Sequence, residues 1–290
     1  MDHIIMMHYL NFTKMPRNII LNSLKESFSS IWKNKPLFTL LFILQIVFFI
    51  SFSLISYNST SKILESAQAI TEYLSQQKLD ELSVADSLLG QKSILGEDPL
   101  LISRNFSEMV KNFRAYLIYI FILLIASISA FWTLTLKLVH KINFKYAVKI
   151  FIKIFAISIF YLGLIFLFFF SIFNISFAEA AVDGAKIFSK YIPFLIFSII
   201  LAYFMFISLS LAHSAGWKNI AQKTLIIGIK KAHYILAAYL IIISLLAVSV
   251  ISLAYFIEKN LFVLLLSITL MIFSFVFGRI FVVKVVERLD

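Results

Sequence analysis

The 290-residue chain is 61% hydrophobic and 14% charged, carries a formal net charge of +11 and contains no cysteine; its mean hydropathy is +0.95. Soluble domains hold about 45–50% apolar and about 25% charged residues, so this composition excludes a water-soluble globular protein and a disordered chain. The missing cysteines exclude a disulfide scaffold. What remains is an all-α, polytopic helical membrane protein.

Residues 1–36 form a first segment with five basic and two acidic residues. Within it, Ile20, Leu24, Phe28, Ile31 and Trp32 share one helical face, and Asn22, Lys25, Ser29 and Lys33 occupy another. This is the pattern of a helix lying in the headgroup plane. Pro36 marks the bend into the first span.

A bilayer core of about 30 Å requires about 20 apolar helical residues. Six stretches qualify: 37–57, 115–136, 154–173, 192–213, 234–256 and 261–278, within a membrane domain over 37–283 and followed by a tail at 284–290. Their unbroken apolarity favours helices over the alternating strands of a barrel. Arg279, just past the sixth, is expected to snorkel outward, and Pro193 to sit in the first turn of the fourth span, where proline is tolerated.

Between spans 1 and 2, residues 58–114 predict a helical hairpin. Ile63, Ala67, Ile70 and Leu74 continue the first span upward, and Phe106, Met109, Val110 and Phe113 lead into the second. Gly90, Gly96 and Pro99 punctuate the tip. The plainer reading is a self-packing loop; the functional one is a stalk for a protein partner or for self-association, since two copies could build a four-helix bundle. Asn58, Asn105 and Asn174 each begin a glycosylation triplet, a pattern common by chance.

Lysines recur before spans 3 and 5, at 137, 141, 145, 149 and 153 and at 218, 223, 230 and 231. Aligned on Lys25/Lys33, Lys145/Lys153 and Lys223/Lys231, the chain reads as three units of basic interfacial helix, outgoing span and returning span. A parallel repeat of this kind can build a transporter or can reflect duplication alone. Sorting connections by side gives +13 on one side and −2 on the other. By the positive-inside rule the basic side is cytoplasmic, with both termini there and residues 58–114 outside a cell membrane. The stretch 37–57 is too long for a signal-peptide core and reads as an uncleaved anchor. Trp32, Trp132 and Trp217 fall near the same interface, as an aromatic belt would have them. Interleaving of the lysines with apolar residues points to anionic lipid headgroups, not nucleic acid. The candidate headgroup contacts are Lys25, Lys33, Lys145, Lys149, Lys153, Lys223 and Lys231.

Chemistry-bearing residues are sparse. His3, His8, His140, His213 and His233 show no metal-ligand spacing, and no glycine-rich phosphate loop exists. No acid or base stands in the middle of a span, which argues against an ion-coupled carrier. Gln45, in the first span, is the strongest polar group at depth; an interhelical hydrogen bond is its plainer role. His213, with Ser210 and Ser214, is the best candidate for a polar site. Ala126, Ala130 and Ser127 give the second span a small-residue face suited to close packing. No cofactor, catalytic residue or metal ligand is expected. The sequence thus favours a non-catalytic scaffold, assembly factor or accessory subunit, with a permease for an uncharged or lipid-like substrate second and a lipid-modifying enzyme a distant third.

Overall fold

A computed structural model describes residues 16–83, 100–180, 184–213, 216–256 and 260–290. The described residues form eight helices: α1 Pro16–Lys33, α2 Lys35–Ser83, α3 Leu100–His140, α4 Phe144–Ala180, α5 Gly184–Ser210, α6 Trp217–Lys230, α7 Ala232–Phe256 and α8 Leu261–Leu289. Six of them, α2 to α5 with α7 and α8, are long and apolar enough to cross a membrane. The chain is a multi-pass helical membrane protein.

Helix ends depart from the apolar windows in instructive ways. At about 1.5 Å per residue, the 49-residue α2 is about 74 Å long, more than twice a bilayer core. Pro193 lies inside α5, not in its first turn: residues from Gly184 onward are already helical although they are too polar to count toward a span. α5 ends at Ser210, so His213 stands beyond the span and not at its last position. α8 continues unbroken to Leu289, past the point where charge ends the apolar window.

The chain divides into two compact units, one made of the described residues up to Val47 and from Ile125 onward, the other of Phe48–Leu124. The second unit consists of two helical arms, one from α2 and one from α3. A hydrogen bond of 3.2 Å joins Ser56 Oγ and Tyr116 Oη. Ile55, Asn58, Ser59, Lys62, Asn112, Ala115 and Tyr119 line a cavity of about 450 Å³. The expected continuation of the spans is present as helix, whereas the tip with Gly90, Gly96 and Pro99 lies outside the described residues. Asn58, Asn105 and Asn174 are all within helices, and the Asn105 side-chain amide donates to Leu101 O. Glycosylation acceptors belong in loops.

In the first unit α8 is the central helix. It packs along α7 and also touches α1 and α5; α4 pairs with α5, and α6 bridges α5 and α7. Short polar bonds tie these apolar helices: Ser252 Oγ to Ser267 Oγ at 2.7 Å and Tyr161 Oη to Ser208 Oγ at 3.1 Å. Such intramembrane bonds contribute about 0.6 kcal/mol each on average. Leu41, Leu138, Val276 and Ile280 form a fully buried cluster joining α2, α3 and α8. Trp132 belongs to this interior: it is 3% exposed and stacks on Phe206, so it is core and not part of an aromatic belt. Of the small-residue face, Ala126 is exposed and Ser127 and Ala130 are half-buried, while Ile125 and Ser129 on the next face are buried.

Of the three basic stretches, two form separate helices. α1 is set off from α2 at Asn34, with Pro36 in the first turn of α2. α6 is preceded by Gly216, whose φ of +68° suits glycine, and is set off from α7 at Lys231. The middle stretch has no such break: Phe144 begins a helix that runs straight into span 3. Residues on α1 fall into three sectors. Ser23 and Ser27 are buried; Leu21, Phe28 and Trp32 are exposed apolar; Lys25 and Lys33 are exposed basic. α6 buries Ile220, Thr224, Ile227 and Gly228 and exposes Leu225 and Ile229. The two burial patterns match Ser23 and Ser27 to Ile220 and Thr224. That is one residue out of step with the alignment of Lys25 on Lys223.

Candidate functional site

The four lysine-bearing segments meet at one end of the first unit. Asn34 at the α1–α2 break donates to Leu138 O near the end of α3 (3.2 Å). Ser23 Oγ donates to Lys284 O (3.3 Å), and Arg288 pairs with Glu26. Lys223 Nζ lies 2.6 Å from Asp290 Oδ2, and Lys231 Nζ donates to Leu289 O. Lys223 and Lys231 therefore hold the end of α8, whereas Lys25, Lys33, Lys145 and Lys149 are exposed and Lys153 is half-buried.

At this end the last turn of α3, the turn after α5 and the last turns of α8 converge. His140 and His213 stack with ring centroids 4.1 Å apart. His140 Nε2 lies 2.8 Å from Glu287 Oε1, but off the line of a hydrogen bond, and that nitrogen is shut away from solvent with no hydrogen-bond partner. Lys284 Nζ holds the other oxygen, Glu287 Oε2, at 2.9 Å. His213 Nδ1 faces Ser210 O at 3.2 Å, and Tyr146 Oη donates to His213 O at 2.9 Å. Burial, with His140 alongside, pushes the His213 imidazole below its usual range. One ligand-type atom from each of His140, His213 and Glu287 lies within 4.8 Å of the others.

A second polar cluster lies deeper. Arg279 does not snorkel. Its Nη1 donates to Gln45 Oε1 at 2.9 Å, and its guanidinium carbon lies 4.5 Å from the centroid of the Phe131 ring. Nε and Nη2 are buried without a hydrogen-bond partner. The reason is directional: helical side chains lean toward the helix N-terminus, which for Arg279 on α8 is the interior of the bundle. The apolar window of the sixth span therefore ends on a charge turned inward and not on one that snorkels outward.

The structure thus joins two of the sequence candidates to residues not expected with them: Gln45, 2% exposed, to Arg279, and His213 to His140 and Glu287. Ser210 contributes its carbonyl; its hydroxyl is engaged with Phe206 O at 2.8 Å. Ser214, His3 and His8 lie outside the described residues. A signal for the cluster was available. His140, His213 and Glu287 each follow an even-numbered span, and these spans all return to the same side.

Fold and sites define a polytopic helical membrane protein with one polar pair at depth and one charged cluster at the lysine-rich end. Comparison with protein-family models, characterised proteins and solved structures gives no match.

Proposed function

We propose that the chain is a non-catalytic component of a cell membrane, a scaffold, assembly factor or accessory subunit, with both termini on the cytoplasmic side and working through lipid and helix contacts. The carrying observation is the three-sector arrangement of α1. Serines Ser23 and Ser27 face protein while Leu21, Phe28 and Trp32 stand exposed beside Lys25 and Lys33. A helix so divided suits the boundary of acyl chains, protein and anionic headgroups. α6, with Leu225 and Ile229 outward and Lys218 and Lys230 exposed, repeats the theme.

Two measurements test this. In vesicles containing lipids brominated near the headgroup, a Trp132→Phe variant, reporting Trp32 and Trp217, is expected to lose most of its fluorescence; unchanged emission would overturn the interfacial assignment. For the scaffold role, crosslinking in intact membranes followed by purification is expected to yield a stable partner that is lost on deleting 58–114. Orientation is read by single cysteines at exposed positions: Ser61→Cys is expected to label from outside and Lys25→Cys is not.

The Arg279–Gln45 pair favours one second reading, a permease for an uncharged or lipid-like substrate, because polar groups at depth mark substrate paths. Flux across proteoliposomes by the isolated protein, abolished in Gln45→Leu, would establish it in place of the scaffold.

A further inference from the structure

Three residues far apart in sequence converge at the lysine-rich end, and two features separate their arrangement from an ordinary ion pair. The first concerns His213. With Nδ1–H donating to Ser210 O at 3.2 Å, Nε2 is left as a lone pair. Metal-binding imidazoles are held the same way, the second nitrogen donating to a backbone carbonyl that fixes tautomer and ring orientation.

The second feature concerns His140. Its Nε2 is buried and has no hydrogen bond, yet lies 2.8 Å from Glu287 Oε1. Nε2 thus faces a carboxylate oxygen without a well-directed hydrogen bond to it, although both residues offer ligand-type atoms. Tetrahedral Zn²⁺ with bonds of about 2.0–2.1 Å sets adjacent ligands about 3.3 Å apart, so this pair would have to open by about half an ångström to admit the ion. Lys284 occupies Oε2 at 2.9 Å, which leaves Oε1, the oxygen facing His140, as the carboxylate donor and supplies its outer partner.

We propose that His140, His213 and Glu287 form a binding site for one divalent first-row transition cation. Two imidazole nitrogens and one carboxylate oxygen suit Zn²⁺ best, since purely oxygen sites go to Mg²⁺ or Ca²⁺ and thiolate is absent. The ion would tie the end of α3, the turn after α5 and the end of α8 together, so that its binding energy adds to the stability of the folded state.

The test uses the full-length protein in detergent micelles, stripped with chelator and titrated with Zn²⁺. Metal analysis after desalting is expected to give one Zn²⁺ per chain, and the melting temperature to rise with Zn²⁺. His213→Ala and Glu287→Gln are each expected to weaken binding by about tenfold or more, while His233→Ala and a His3→Ala/His8→Ala double variant leave it unchanged. Wild-type protein gives a readout independent of any variant's folding. Zn²⁺ should protect His140 and His213, but not His233, from diethylpyrocarbonate. Equal modification of all three histidines with and without Zn²⁺ would overturn the site, as would binding that survives His213→Ala or is lost with the N-terminal histidines.

Discussion

Arg279 and Lys284 lie on the same helix, less than two turns apart, and the protein treats them in opposite ways. Lys284, near the end of α8, meets a carboxylate: Glu287 Oε2 at 2.9 Å. Arg279, deeper, has only an amide oxygen from Gln45 and the face of Phe131, and no carboxylate among the described residues pairs with it. The difference follows from what each partner costs to bury. A carboxylate taken into hydrocarbon carries a desolvation penalty of several kcal/mol that a single pairing repays only with excellent geometry. An amide dipole and an aromatic quadrupole carry no such net charge, and a guanidinium, weakly hydrated and planar, can use both at once. Near the wet end the carboxylate keeps part of its hydration, and charge can be answered with charge.

This comparison is sharpened most by cutting the deep pair. Gln45→Leu leaves the guanidinium buried with no hydrogen bond, and is expected to destabilise by about 3 kcal/mol, the scale for orphaning a buried charge. Arg279→Met orphans only an amide oxygen and should cost about 1–2 kcal/mol. The double variant Gln45→Leu/Arg279→Met, apolar on both sides, should be close to wild type. Reversible unfolding in mixed micelles measures all three. If the single losses simply add in the double variant, Arg279 and Gln45 are not coupled and the contrast with Lys284 fails.

An intermediate effect is expected at Asn34. Its amide donates to both Ser30 O and Leu138 O at 3.2 Å, joining the α1–α2 break to the end of α3. Asn34→Ala removes two part-buried bonds near the wet end, where water can partly replace them, and should cost about 1.5 kcal/mol by the same measurement. A loss as large as that of Gln45→Leu would mean that depth is not what distinguishes the two regions.

The six spans and the placing of the lysine-rich segments on one side could be read from sequence because both rest on quantities that sum along the chain, apolar length and charge. The helical arms from 58–114 were legible for the same reason, in the spacing of Ile63, Ala67, Ile70 and Leu74. The sites were not. Arg279 lies where an apolar window ends, and composition alone does not show that its side chain leans inward. His140, His213 and Glu287 come from three helices, so no local spacing joins them. Trp132 sits at the depth of a belt residue but faces Phe206, because rotation about the helix axis is set by packing. Pro193 reads as a first-turn residue only because the apolar window begins later than the helix.

The smallest effects are expected at the end of α8, where two lysines act on one helix terminus by different means. Lys223 reaches Asp290, a pair in which the side chains remain 39% and 24% exposed. Exposed pairs contribute between about 0 and 1 kcal/mol and are screened by salt. Lys231, half-buried, donates instead to Leu289 O, a carbonyl left without an intrahelical partner at the negative end of the helix dipole. The bond to Lys231 satisfies a backbone acceptor, and its strength does not depend on a second mobile charge. Lys231→Met should therefore cost about 1 kcal/mol in low and high salt alike. Lys223→Ala should cost less than about 0.5 kcal/mol and become indistinguishable from wild type at about 1 M salt, where the screening length falls to about 3 Å. Equal salt sensitivity in the two variants would mean that Lys231, like Lys223, acts as a surface charge and not as the cap of α8.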